Sequence, residues 1–137
     1  MFNLFYYASQ NAKDVEFSLV DFNKGNKRYL ALQTYNEMSQ SPGADQIGVD
    51  KGVNAEYHFH PFSSNYNKSY TQRNSMGARE NGVYYGSGGD YGNAVKYKIN
   101  RPNYVYFPNS SNLYNVTEMG VYFIKKINKE SKNKKIP

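Results

Sequence analysis

The first half of the chain alternates between hydrophobic and polar residues, the pattern of β-strands with one buried face. The alternation predicts a strand over residues 15–22. A turn of Asn, Lys, Gly and Asn at 23–26 then predicts a hairpin whose return strand covers 27–35. A third strand is predicted over 53–60, and it ends at Pro61 because proline cannot donate a hydrogen bond to a sheet.

The second half repeats the strand pattern and adds helical segments at two places. Strands are predicted over 103–107 and 113–117, joined by a polar turn, and a final strand over 120–127. A short helix that packs its aromatic residues inward and ends at Asn11 is predicted near the start, and another over 91–97. These elements predict an α/β (α+β) fold, with a mixed sheet flanked by one or two helices.

Two segments carry no clear periodic pattern. Residues 36–52 are rich in Ser, Pro and Gly and predict a loop, with at most a short extended piece at 47–49. Residues 62–86 are rich in Asn, Ser, Tyr and Gly and poor in aliphatic residues, which indicates either an ordered flap or a flexible insertion.

Composition restricts the classes of chemistry that the chain can carry out. At 137 residues it is long enough for a single core, which we assign to residues 1–127. Its 15 tyrosines and 8 phenylalanines predict a core rich in tyrosine, whose polar end tolerates partial burial. The absence of cysteine excludes thiolate metal sites, disulfides and a cysteine nucleophile.

The net charge of +6 is concentrated near the carboxyl end, where lysines cluster between Lys125 and Lys135. Without this cluster the chain is close to neutral, so we interpret 128–137 as a basic, disordered tail rather than a nucleic-acid groove. No apolar run approaches the length of a membrane span. Residues 1–12 also lack the basic start and long apolar middle of a signal peptide.

The candidate chemistry lies on the predicted strand over 53–60. His58 and His60 are the two histidines of the chain, and their spacing places both imidazoles on one face of a strand. A catalytic zinc takes three protein ligands and keeps a fourth position for water, so a carboxylate must come from elsewhere. Asp90 is the best candidate, because it follows glycines and precedes a helix. The alternatives are two half-buried polar histidines and an Asp90 that only caps its helix.

A His-x-His-Pro segment followed by Ser-x-x-Asp resembles the metal motif of the JAMM family, the metallopeptidase branch of the JAB/MPN fold. The matching residues are His58, His60, Pro61, Ser87 and Asp90. Two features depart from the usual family pattern: Phe59 replaces a Ser or Thr, and 62–85 separates the two halves of the motif. The longer spacing resembles the JAB-like toxin domains found at the carboxyl ends of bacterial polymorphic toxins, including RHS-type proteins.

The resemblance implies a Zn²⁺ ion held by His58, His60 and Asp90. It also implies a general base, a Glu on a strand near the start of the domain, which Glu16 matches in place and context. Glu56 is a rival because it shares the predicted face of both histidines, and Glu37 is a third candidate.

In the resembled family the serine of the motif helps to hold the water or the oxyanion. That role would fall to Ser87, whose ordinary alternative is a place in a turn or a helix cap.

The implied function is a zinc-dependent metallopeptidase or isopeptidase that hydrolyses an amide bond, as the toxin domain of a bacterial polymorphic toxin. Such a domain implies a peptide or protein substrate and a cognate immunity protein. We expect it to be secreted or delivered into a target cell within a larger toxin, and otherwise to be cytoplasmic. Three alternatives remain open: a metal-dependent toxin nuclease that uses the basic tail, a non-catalytic JAB/MPN-like binding module, and a structural β-rich module without metal.

Overall fold

The structure is a computed structural model of the chain, and it describes residues 2–12, 14–35, 43–44, 52–61, 76–77 and 89–128. The elements in chain order are α1 (Phe2–Asn11), β1 (Ser18–Lys24), β2 (Lys27–Gln33), β3 (Val53–Phe59), α2 (Gly89–Lys96), β4 (Asn103–Phe107), β5 (Asn112–Thr117) and β6 (Gly120–Lys126). Within the described residues the six strands form one mixed sheet in the order β2-β1-β3-β4-β5-β6. The predicted α+β fold, with a mixed sheet and two helices, is therefore confirmed.

The centre of the sheet contains its parallel pair. Strands β3 and β4 run parallel, whereas the other neighbouring strands are antiparallel. Parallel neighbours need a crossover connection, and this one contains α2. The start of a crossover helix faces the carboxyl end of the strand before it, so the first turn of α2 comes to the end of β3 that carries the histidines.

Alternating side chains of the strands build two cores on opposite faces of the sheet. Helix α1 covers one face, where the fully buried residues include Phe5, Tyr6, Leu19, Phe59 and Tyr106. Helix α2 packs on the other face, whose core contains Met76, Ala94, Val105, Phe107, Tyr114, Val116 and Val121. The metal-ligand candidates lie on this second face.

Most predicted boundaries agree with the structure to within a few residues. Strand β1 begins three residues later than the prediction and runs on to Lys24, so the turn is Gly25-Asn26, with Gly25 at φ +63°. Helix α2 begins at Gly89, which places Asp90 inside the first turn rather than before it. The predicted extended piece at 47–49, nearly all of the 62–86 segment and most of the basic tail lie outside the described residues.

Candidate metal centre

The two histidines are held at the carboxyl end of β3, a strand between β1 and β4. Their rings lie on one face of the sheet with centroids 5.5 Å apart and an interplanar angle of 27°. Phe59 points to the opposite face, where its ring is 5.6 Å from that of Phe5 in the α1 core. Phe59 is therefore a core residue. It does not interfere with His58 and His60, because alternate residues of a strand point to opposite faces of the sheet.

His60 lies just beyond the last residue of β3, yet its position is fixed by β4. Its backbone N–H donates to the carbonyl of Tyr106 at 3.0 Å, which continues the parallel pairing by one residue. Its ring lies against Phe107, with centroids 4.8 Å apart. These contacts restrict the ring to the second face of the sheet.

Asp90 completes the group from the first turn of α2. Its Oδ1 lies 2.9 Å from Nε2 of His58, and its Oδ2 lies 2.9 Å from Nε2 of His60. One ligand atom from each of the three side chains lies within 4.8 Å of the others. A plain cap is not the role of Asp90, because both carboxylate oxygens are directed at the histidines.

The geometry and the donor types fit a metal ion. Donor atoms of a tetrahedral zinc site with bonds of about 2.0 Å lie about 3.3 Å apart, which falls between the 2.9 Å histidine–Asp90 separations and the 4.8 Å within which all three donors lie. Two imidazole nitrogens and a carboxylate oxygen are ligands that zinc and other divalent transition metals accept. The three side chains are between 9% and 17% exposed, so solvent retains a path to the group. The cluster is thus compatible with a metal site that keeps a position open.

The charges of the group reinforce one another. Burial alone would lower the pKa of His58, but the charge and hydrogen bond of Asp90, with smaller contributions from Glu16 and Glu56, raise it to about 9. Burial alone would raise the pKa of Asp90, yet His58 and His60 hold it well below its usual range. A metal ion at this position therefore has to displace protons from imidazole.

Glu16 lies two residues before β1 rather than within a strand, and it is close enough to His58 for its charge to help raise the pKa of that residue. Strand β1 pairs Ser18 with His58, and continuing this antiparallel register by two residues brings Glu16 level with His60. The stacked rings of Phe17 and Phe59, 6.2 Å apart, keep the two chain segments side by side at that point. Glu16 is only 8% exposed, so the residue is buried near the group. Its role as general base stays a prediction.

Glu56 lies on the face predicted for it, but its carboxylate is engaged elsewhere. Its Oε1 accepts a hydrogen bond from the backbone N–H of Ala44 at 2.8 Å, and its Oε2 lies 2.8 Å from Nη2 of Arg101. Both oxygens therefore hold neighbouring segments of the chain together. Glu37 and Ser87 lie outside the described residues.

Several residues near the group were not anticipated from the sequence. Ser18 is buried directly opposite His58, and the alternating pattern of β1 was the signal that could have identified it. Phe107 and Met76 line the core beside the site, and Arg101 holds Glu56. The contacts of Phe107, Met76 and Arg101 join residues far apart in the chain, so no local sequence pattern indicates them.

The fold and the site together define a class. A mixed sheet with two helices, and a His-His-Asp group compatible with metal at the end of a central strand, is consistent with a JAB/MPN-like protein.

The comparison with protein families agrees with this class. The family model described as JAB-like toxin 1 matches residues 1–95, well over half of the chain, and the chain belongs to this family. The matched range contains His58, His60 and Asp90. No curated protein and no solved structure matches the chain. Among the described residues, no helix has the length and apolar character needed to span a membrane.

Proposed function

We propose that the chain is a zinc-dependent amide hydrolase, a metallopeptidase or isopeptidase, acting as the toxin domain of a bacterial polymorphic toxin. The observation that carries the proposal is the convergence of His58, His60 and Asp90 from β3 and α2 on a common point. Membership of a JAB-like toxin family supports both the toxin role and hydrolysis as the chemistry.

Zn²⁺ is the ion that the resemblance to JAMM metallopeptidases implies, and in a chain without cysteine two imidazoles and a carboxylate are donors that it accepts. Bound there, it would lower the pKa of water and polarise a carbonyl group. His58 and His60 are held by the sheet, and Asp90 by the helix, so the ligands come from two elements with separate support. The partial exposure of the three side chains leaves access for a substrate carbonyl.

Glu16 is the proposed general base. It accepts a proton from the attacking water at its carboxylate and later donates the proton to the leaving amine. Its burial beside His60 and its effect on the pKa of His58 support this assignment. Glu56 is less suited because Arg101 and Ala44 occupy its oxygens. Ser87 remains the proposed residue that helps to hold the oxyanion.

The proposed substrate is a peptide or protein of the target cell, with an isopeptide bond as one form of the amide. A toxin of this kind acts after delivery as part of a larger protein, and the producing cell then needs an immunity protein that neutralises it. Co-expression of the domain with candidate immunity proteins from the producing cell should identify such a partner, because the partner restores growth.

A growth assay with paired glutamate variants tests the proposal. Glu16→Gln should keep the bound metal but reduce hydrolysis by about 10²- to 10⁴-fold, the usual contribution of general acid–base catalysis. Expression of this variant in a bacterial host should therefore be tolerated, whereas wild type should arrest growth. Glu56→Gln is the matched control: it should remain toxic while its melting temperature falls, because the pair with Arg101 is lost.

The outcomes separate the proposal from its rivals. Full toxicity of a folded, metal-loaded Glu16→Gln protein would exclude Glu16 as the base. Wild-type toxicity that disappears with the basic residues after Ile127, together with degraded nucleic acid in the host, would instead favour a nuclease. Growth equal to that of an empty vector with wild type would contradict the toxin role.

A further inference from the structure

The first turn of α2 rests on a short turn formed by Met76 and Gly77. The backbone N–H of Tyr91 donates to the carbonyl of Met76 at 2.7 Å. Gly89 approaches the same turn closely: a Cβ atom at Gly89 would lie 3.0 Å from the nitrogen of Gly77 and 3.1 Å from the carbonyl carbon of Met76. The residues on both sides of Asp90 therefore contact this turn through their backbones.

The side chain of Met76 holds the turn against the core. It is fully buried in the core on the second face of the sheet. That core also contains Ala94 of α2, together with Val105 and Phe107 of β4. Phe107 in turn contacts the ring of His60. One methionine thus joins the helix that carries Asp90 to the part of the sheet that carries the histidines.

The contact matters because Asp90 has to meet two atoms at once. Each of its oxygens lies 2.9 Å from a different imidazole nitrogen, so a shift of the helix by a fraction of an ångström changes both distances. Metal sites require ligand placement to within about 0.5 Å. A backbone that is fixed immediately before and after Asp90 supplies this restriction.

We infer that the Met76–Gly77 turn, seated on Gly89 and Tyr91, positions the Asp90 carboxylate and thereby sets the affinity of the site for its metal. Met76 and Gly89 are positioning residues in this account, and the inference rests on the proposed metal site. A turn that only completed the helix end would affect stability, since the first N–H groups of any helix need acceptors, but would leave metal affinity unchanged in the folded protein.

Gly25 provides a matched control for a test at Gly89. Both glycines have a left-handed backbone, with φ +63° at Gly25 and +65° at Gly89, so alanine introduces a similar strain at each. The difference is the surroundings, because a Cβ atom at Gly25 meets nothing within 4 Å. Gly89→Ala and Gly25→Ala, made in the full chain, therefore compare similar backbone strain at a position that contacts the turn and at a position remote from it.

The experiment measures Zn²⁺ affinity by competition with a chromophoric chelator, with folding checked by circular dichroism. Gly89→Ala should bind Zn²⁺ about 10- to 100-fold more weakly than wild type, the range typical for residues that orient metal ligands. Gly25→Ala should match wild type. Met76→Ala should weaken binding as well, and Met76→Leu, which keeps most of the apolar volume, should restore it to within a few-fold.

Each result has a definite meaning. Equal Zn²⁺ affinity of folded Gly89→Ala and Gly25→Ala would overturn the inference. If Gly89→Ala fails to fold, unchanged affinity in Met76→Ala would overturn it in the same way. Failure of wild type to bind Zn²⁺ at all would instead overturn the proposed function, so the two failures are distinguishable.

Discussion

Two aspartates in this protein have similar local geometry, but only one of them has partners that can bind a metal ion. Asp21, which is 1% exposed, receives two bonds from Arg28, at 2.8 Å from Nε and 2.6 Å from Nη2. Asp90 likewise meets two nitrogens, but these belong to His58 and His60, at 2.9 Å each. In each aspartate, both carboxylate oxygens thus contact nitrogens of groups that are cationic or can become so.

The difference lies in what the partners can give up. The guanidinium of Arg28 keeps its protons under all ordinary conditions, and its hydrogen bond with Asp21 raises its pKa further. Its nitrogens therefore cannot become metal ligands, and the pair is structural. Imidazoles release their protons within an accessible pH range and then offer lone pairs to an ion. Two nitrogens facing one carboxylate therefore form a structural ion pair at Asp21 and a metal-compatible group at Asp90.

The largest contrast is expected from removing the aspartates. Asp90→Ala should abolish Zn²⁺ binding and reduce hydrolysis to the level of chelator-treated protein, while the fold survives. Asp21→Ala should leave Zn²⁺ affinity unchanged but destabilise the protein by about 1.5–3 kcal/mol, because the buried carboxylate loses its charge-assisted hydrogen bonds to the partly exposed Arg28. Metal titration and denaturant unfolding of both variants measure the two effects. Similar metal affinity in the two variants would remove the contrast.

A smaller contrast is expected in the pH dependence of the metal-free protein. The pKa of His58 rises from 6.5 to about 9 on folding, so its stabilising contribution is complete below pH 6.5 and is lost as pH rises through 9. Stability should fall over this interval by something on the order of 2 kcal/mol. Arg28 contributes no such change, because it stays protonated.

Chemical unfolding with a chelator present, at pH 6.5 and at pH 9, measures this fall. Asp90→Ala is the control, since it removes the group that raises the pKa of His58. If the wild-type protein is as stable at pH 9 as at pH 6.5, the raised pKa of His58 beside Asp90 is contradicted.

The smallest effect is expected at the rim of the structural pair. Asn54 donates to Oδ1 of Asp21 at 3.1 Å and to Oδ1 of Asn23 at 3.1 Å. Asn54→Ala should cost about 1 kcal/mol of stability, the net value of one or two ordinary hydrogen bonds. Although Asn54 is on the same strand as the histidines, Zn²⁺ affinity should not change. Altered affinity would mean that the two ends of β3 are coupled.

The sequence was most informative where a short periodic pattern carried the chemistry. A two-residue spacing on a predicted strand placed His58 and His60 on one face, and glycines before a helical pattern identified Asp90 as their partner. The strand order of the sheet and its parallel centre were not predictable in this way, because register and crossover depend on contacts between distant segments.

The two glutamates illustrate the same limit. Periodicity correctly placed Glu56 on the histidine face, but nothing nearby in the sequence indicated that Arg101 and Ala44 would occupy its oxygens. The packing of Met76 under α2 was equally hidden, since a single apolar residue in a polar stretch has no periodic neighbours. Long-range contacts decided both cases.

The most direct test is a Zn²⁺-loaded crystal of the full chain with diffraction data collected on both sides of the zinc absorption edge. The expected result is one zinc per chain, bound by Nε2 of His58, Nε2 of His60 and one oxygen of Asp90 at about 2.0–2.2 Å, with a fourth position open to solvent. No anomalous peak between the three side chains at saturating Zn²⁺, with Asp90 still bridging the two imidazoles, would contradict the metal site and the hydrolytic function proposed from it.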